Sequence, residues 1–185
     1  GDSAGRVVSG AGFQRQEIKA SLIRQLRAAR DKVWITTAYF VPTWRVRRAI
    51  RATAKRGVDV RLVLPGPISD HPWISFVGRR FYRRLLRSGV RIFEHNERFS
   101  HAKAVLCDEW VSIGSCNLDH WNLRWNLEAN QEIVDTKFAN VLAKVFEKDF
   151  EECREIDPER WHRRPVWTRF RERISGLLHT LLTKI

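Results

Sequence analysis

The 185-residue chain has no methionine, two tyrosines and three cysteines, and its acidic residues are far outnumbered by basic ones. Each scarcity narrows the field. Cys107, Cys116 and Cys153 are an odd number at unremarkable spacing, which gives no sign of a disulfide framework or a zinc site and points to a reducing compartment. No run of about 18 apolar residues occurs and no secretory leader is recognised, so any membrane contact is expected to be peripheral. A methionine-free chain starting at Gly1 reads as a piece of a longer protein. Against 21 Asp and Glu stand 34 Lys and Arg, a formal net charge of +13. Such a field attracts polyanions: nucleic acid, anionic lipid headgroups or phosphorylated small molecules. The length suits one domain that builds its core without disulfides or metals.

Hydrophobic periodicity lays out an alternation of strands and helices. Residues 6–9 read as a short strand and 16–30 as a helix with Ile18, Leu22 and Leu26 on one face. A buried strand follows at 33–38, a helix at 46–55 stopped by Gly57, and a second apolar strand at 58–64 closed by Pro65-Gly66-Pro67. One long helix is expected over 73–88, ended by Gly89, with Arg79, Arg83 and Arg87 in a row that Arg80 and Arg84 widen. That row is read first as a solvated face and second as a surface that touches anions. Strands at 90–93 and 128–134 and a helix at 137–151 complete the domain. The βαβ rhythm predicts an α/β fold with a mixed, mainly parallel sheet flanked by helices.

The chemistry concentrates in HAKAVLCDEWVSIGSCNLD, residues 101–119. In a strand, residues two apart share a face, so His101 and Lys103 emerge side by side with Val105 and Cys107, while Asp108 points the other way. A three-residue turn at 108–110 would set Cys107 opposite Val111, Val105 opposite Ile113, Lys103 opposite Ser115 and His101 opposite Asn117. Polar groups then gather at one end of one face. The set suits phosphodiester chemistry without a metal or other cofactor. A histidine nitrogen attacks phosphorus or protonates a leaving oxygen, Lys103 and Asn117 hold the non-bridging oxygens, and Gly114 lets the anion approach the backbone. By the same parity, Asp108 is expected to hydrogen-bond in the turn or pair with a nearby cation.

HxK, four residues, Asp, then GSxN, with Glu128 in NLEANQEI downstream, resembles the His-Lys-Asp motif of the phospholipase D superfamily. It has one residue fewer than usual between Asp108 and Gly114. The resemblance implies a phospholipase D-like sandwich and the catalytic set His101, Lys103, Asp108 and Glu128. His101 would be the phosphohistidine-forming nucleophile or its general-acid partner. Lys103, Ser115 and Asn117 would bind the phosphate, and Glu128 would fix the His101 tautomer by bonding its far ring nitrogen. The segments ITTAYFVPTWRVRRAIRATAKRGVDVRLVLPG, RRFYRRLLRSGVRIFEH and GSCNLDHWNLRWNLEANQEI, within residues 6–157, resemble the C-terminal half of bacterial cardiolipin synthases. That family transfers a phosphatidyl group through a covalent histidine to the hydroxyl of phosphatidylglycerol. With one motif present, the second half-site is expected from homodimerisation or from a missing N-terminal half.

These readings divide the chain into residues 1–157, a phospholipase D-like domain, and 158–185, a basic tail. Phe170, Ile174, Leu177, Leu181 and Ile185 form part of an apolar stripe there, behind Trp161 and Trp167, that suits the headgroup layer of an anionic membrane or docking on protein. The expected partners are anionic phospholipids, phosphatidylglycerol and cardiolipin, at the cytoplasmic face of a bacterial membrane, with nucleic acid disfavoured. The rivals are lipid hydrolysis, a dimeric nuclease of the same superfamily, and a domain that only binds acidic membranes. WISF at 73–76 is read as a lipid-facing loop, Tyr39 as a substrate contact and Phe40 as core. His71, His95 and His120 are read as surface or turn residues.

Overall fold

A computed structural model describes residues 3–10, 17–66, 68–70, 72–119 and 127–164. In chain order the elements are β1 (Ala4–Gly10), α1 (Glu17–Ala28), β2 (Lys32–Thr36), β3 (Phe40–Val41), α2 (Trp44–Lys55), β4 (Asp59–Pro65), α3 (Pro72–Arg79) and α4 (Tyr82–Leu86). They continue with β5 (Arg91–His95), β6 (Ala104–Cys107), β7 (Trp110–Gly114), β8 (Leu118–Asp119), β9 (Glu128–Val134), α5 (Thr136–Glu152), β10 (Arg154–Glu155) and α6 (Pro158–His162). Eight strands form one sheet in the order β1-β9-β7-β6-β2-β4-β5-β10, and β3 pairs with β8 beside it.

The sheet is mixed but mostly antiparallel, which corrects the expectation of a mainly parallel one. Among the eight described strands of this sheet only β2–β4 and β4–β5 are parallel, the two pairs that helical crossovers join. Every other neighbouring pair runs antiparallel, because β6 returns alongside β2, β6 and β7 form a hairpin, and β9 and β1 extend that meander. Helix and strand positions follow the periodicity elsewhere. The helix expected at 73–88 is broken into α3 and α4 around Arg80–Phe81, and WISF is the first half of α3 rather than a loop. Gly57 and Gly89, at φ of 91° and 89°, turn the chain out of α2 and α4 in a backbone region open to glycine.

Alternation along the strands builds two cores. Val33, Ile35, Val60, Leu62, Ile92, Val105 and Cys107 face α1, α2, α4 and α6, where Ile18, Leu22 and Leu26 of α1 meet Val46 and Ile50 of α2. Trp34, Val63, Phe93, Leu106 and Val111 face α5 through Ala139, Ala143 and Phe146. Full burial of each such side chain is worth roughly 1.5–3 kcal/mol. Trp161 of α6 is buried, with its ring tilted against Tyr82 at 5.0 Å between centroids. The expected amphipathic stretch at 168–185, like His71 and His120, lies outside the described residues.

Two polar devices lock the architecture. Glu94, fully buried in β5, accepts bonds from Arg79 at 3.0 and 2.9 Å and from the Tyr82 hydroxyl at 3.0 Å, with Arg154 3.6 Å away. Arg79 is therefore an internal partner, not part of a solvated row. At the β6–β7 turn, Asp108 adopts a φ of 52° and its carboxylate accepts the backbone N–H groups of Arg30, Asp31 and Lys32 at 2.9, 3.1 and 2.9 Å. It ties the turn to the α1–β2 connection. Replacing Asp108 with Ala leaves three donors without that acceptor and is expected to cost about 2 kcal/mol of stability, read as a lower midpoint in urea unfolding.

Candidate active site

Strand direction brings the motif to one edge. Thr36 at the end of β2 pairs with Ala104 at the start of β6, Ala104 with Ile113, and Gly114 at the end of β7 with Asn130 near the start of β9. The segments 37–40, 101–103, 114–117 and 127–128 therefore all leave the sheet on the same side. Asp108 sits at the opposite end of the β6–β7 hairpin. The structure does not bring it to the cleft, and its carboxylate serves the backbone bonds described above.

The hairpin register differs from the expected one by a residue. A two-residue turn, Asp108–Glu109, pairs Cys107 with Trp110, Val105 with Ser112 and Ala104 with Ile113. Lys103 therefore lies across from Gly114, whose N–H bonds the Lys103 carbonyl at 3.3 Å, and Asn117 is carried beyond the ladder. One slipped residue reverses the faces of β7, so Trp110 joins Val105 and Cys107 while Val111 joins Leu106.

His101 is exposed, with its ring flanked by Tyr39 at 6.0 Å and Phe99 at 5.7 Å. Lys103 Nζ lies 2.9 Å from His101 Nδ1 and 2.7 Å from the His101 carbonyl oxygen. An ammonium has only donors, so the ring nitrogen it meets is the unprotonated one. Desolvation lowers the Lys103 pKa, while Glu128, Asp70 and Asp119 act in the opposite direction. Glu128 thus acts on Lys103; among the described residues it makes no hydrogen bond to His101.

Asn117 is buried, and its Oδ1 accepts from the Tyr39 backbone N–H and the Thr37 hydroxyl, both at 3.3 Å. Because a backbone N–H can only donate, the amide oxygen faces Tyr39 and the amide nitrogen turns away from it. Ser115 is exposed, and its hydroxyl accepts the Ala129 N–H at 3.1 Å, which holds β9 against the Gly114 bend. Sequence reasoning missed Thr37, Asn130, Asp70 and Asp119. Asn130 is buried and bonds Ser112 at 3.0 Å and the Cys116 N–H at 3.3 Å, fixing the loop that carries Asn117. Its position two residues after Glu128, on the same strand face, was the available signal. Asp70 accepts the Tyr39 hydroxyl at 2.6 Å. Desolvation, followed by that bond, pushes the phenol up to about 12, so it stays a donor at neutral pH.

Beside His101 and Lys103 lies a cavity of about 530 Å³ whose further walls include the apolar Ile113, Leu142, Val145 and Phe146 and the carboxylate of Asp149. The neighbouring Cys116 thiol is pushed up to about 12 by burial, then by Glu128 and Asp119, and is not a thiolate nucleophile. His95, expected at the surface, is instead buried in β5 with Nδ1 3.2 Å from Cys153 Sγ, and burial lowers its pKa. Among the described residues no group of three or more His, Cys, Asp or Glu is placed to hold a metal ion.

Residues 22–150 match the family described as cardiolipin synthase, PLD-like domain. Cardiolipin synthase A of Yersinia pseudotuberculosis is 36% identical over 177 residues, 95% of this chain. The chain spans only 36% of that relative's length. In three dimensions the chain is similar to phosphatidylserine synthase of Haemophilus influenzae, with a TM-score of 0.71 at 15% identity over 95% of this chain and 47% of that one. It is also similar to Nuc, a phospholipase D family member of Salmonella typhimurium, with a TM-score of 0.70 at 18% identity over 84% of this chain and 99% of that one. At such identities these two establish a shared fold alone, the phospholipase D-like α/β fold expected from the motif.

Gly114 is the position on which the edge turns. A Cβ there would overlap the Ala129 carbonyl and the Asn130 side-chain oxygen and lie 2.6 Å from Asn130 Cα. Gly114→Ala is expected to force β7 from β9, cost about 1–3 kcal/mol and displace Asn117. Thermal unfolding and the amide resonance of Asn117 check the two effects.

Proposed function

Because this chain belongs to the family of cardiolipin synthase PLD-like domains, we propose that it supplies one half of a site that transfers a phosphatidyl group between phospholipids, making cardiolipin from phosphatidylglycerol. The observation that carries this reading is His101 and Lys103, 2.9 Å apart, at the mouth of a cavity walled by Ile113, Leu142, Val145 and Phe146. Charged groups suited to a phosphodiester thus adjoin apolar walls suited to an acyl chain. A net charge of +13 also suits nucleic acid, but such walls offer nothing to a sugar-phosphate strand.

Transfer takes two displacements. A histidine nitrogen attacks the phosphorus of the donor, a P–N bond forms, and the P–O bond to the departing glycerol breaks as a second histidine protonates that oxygen. A hydroxyl of the second phosphatidylglycerol then gives its proton to that second histidine and attacks phosphorus. The P–N bond breaks and the first nitrogen keeps the electron pair. His101 is one of the two histidines. The other comes from a second copy of the chain or from a second motif in a longer polypeptide. Lys103 and the Asn117 amide nitrogen hold the non-bridging oxygens, with Ser115 shaping the loop beside them. Phosphate draws Lys103 from Nδ1 of His101; the ring proton then moves to Nδ1, which donates to Glu128, and Nε2 is left bare toward phosphorus. No described helix is long and apolar enough to cross a membrane, and the reading places the enzyme peripherally on the cytoplasmic face of a bacterial membrane.

The test is to incubate the protein with phosphatidylglycerol vesicles and follow the products by mass spectrometry. Cardiolipin and glycerol are expected, with a rate that rises faster than linearly in protein where two copies complete the site. His101→Ala is expected to lower turnover by about 10³-fold or more. Phosphatidic acid in place of cardiolipin would make the enzyme a hydrolase, and full turnover by His101→Ala would overturn the histidine chemistry.

A further inference from the structure

A second concentration of positive charge lies outside the catalytic cleft. The N-terminal and outer faces of α2 present Trp44, Arg47, Arg48, Arg51 and Lys55, and the α3–α4 junction sets Phe81 and Arg84 against them around a groove of about 340 Å³. Arg80 adds a further guanidinium, 4.5 Å from the Phe81 ring, on which Arg47 also rests at 4.2 Å. The sequence holds no Asp or Glu from residue 40 to 58 or from 71 to 93. Several arginines elsewhere in the domain meet carboxylates: Arg79 pairs with Glu94, Arg91 with Glu155, and Arg98 with Asp149 and Glu152. Among the described residues, none of the groove's cations has such a partner.

That arrangement opposes itself. Burial, followed by the charges of Arg80 and Arg84, pushes Arg47 down to about 10. Arg80 Nε is buried without a hydrogen-bond partner. Like charges held together over one aromatic ring, with an unused donor among them, form a site whose balance needs an anion from outside. The position supplies the second argument. Trp44 opens α2 just after β3, and Trp73 lies in the first turn of α3 just after Asp70, the residue that bonds Tyr39 at the cleft. Both indoles face solvent, at 61% and 54% exposure. Exposed tryptophans beside arginines suit the layer where lipid headgroups meet acyl chains.

We propose that the groove between α2 and the α3–α4 junction binds the phosphate headgroup of an anionic phospholipid, docking the domain on the membrane with Trp44 and Trp73 at the interface and the His101 cleft turned toward its lipid. The site is separate from the His101 cleft and stands on its own charge and geometry. It recruits a surface whether or not the catalytic reading holds, so its test is read as binding rather than turnover.

The measurement is flotation of the protein with vesicles of phosphatidylcholine, alone or mixed with phosphatidylglycerol. Arg47→Gln/Arg84→Gln tests the groove itself. Arg48→Gln/Lys55→Gln removes two exposed charges without touching the core. Lys137→Gln/Lys144→Gln on α5 makes the same change in net charge on another face. Binding is expected to require phosphatidylglycerol and to fall about tenfold or more in both groove variants and less than twofold in the α5 variant. Equal losses in all three would mean bulk charge and would overturn the proposal. So would unchanged vesicle binding by the folded groove variants, as would a loss confined to binding of an oligonucleotide, which would make the groove a nucleic-acid surface.

Discussion

The site depends on how closely β7 approaches β9 at Gly114. Only a residue without a side chain lets the Ala129 carbonyl and Asn130 come so near. That approach lets Asn130 reach both Ser112 and the Cys116 N–H, and Ser115 reach Ala129. The loop is then committed in direction, and Asn117 meets Thr37 and the Tyr39 N–H across the end of β2. Two strands that are not neighbours in sequence thereby share one polar network at the edge where His101 and Lys103 emerge. The amide is oriented by backbone geometry before any substrate arrives, which is the preorganisation that the proposed hold on a transferred phosphate requires.

Much of this was legible in the residue types, and the failures have specific causes. Face alternation in the β6 segment is right, because parity along a single strand depends on nothing but backbone pleat. The register across to β7 is not a local property. It was set by a two-residue turn that holds Asp108 at a φ of 52°, a conformation aspartate tolerates but does not demand. Strand sense failed for a related reason. Helical crossovers do give parallel neighbours, as at β2, β4 and β5, but the β5–β6 return carries no helix and reverses the chain. Asn130 and Thr37 went unnoticed because ordinary polar residues in a strand or just past its end carry no motif. Their roles exist only once β7, β9 and β2 share an edge.

The arginines divide by what the fold gives them. Arg79 spans from α3 to Glu94, whose exposure is zero, and removing Arg79 would take two charge-assisted bonds from a buried carboxylate. Five positions later, Arg84 lines a groove that holds cations alone. Sequence spacing put these residues on one long basic helix; the break around Arg80–Phe81 separated them. Arg79 became architecture, while Arg80 and Arg84 were turned toward α2.

Electrostatics also bears on the proposed need for two halves. Around His101 the described residues supply one ammonium, Lys103, and three carboxylates that act on it, Glu128, Asp70 and Asp119. A phosphodiester brings a further negative charge into a pocket whose apolar walls keep the local dielectric low, where like charges repel far more strongly than in water. One lysine does not offset that sum. A second histidine solves the proton problem of the leaving group, but a second lysine arriving with it solves the charge problem. The same motif contributes both, so the proposed pairing of two copies across the cleft would complete acid, nucleophile and counter-charge in a single step of assembly.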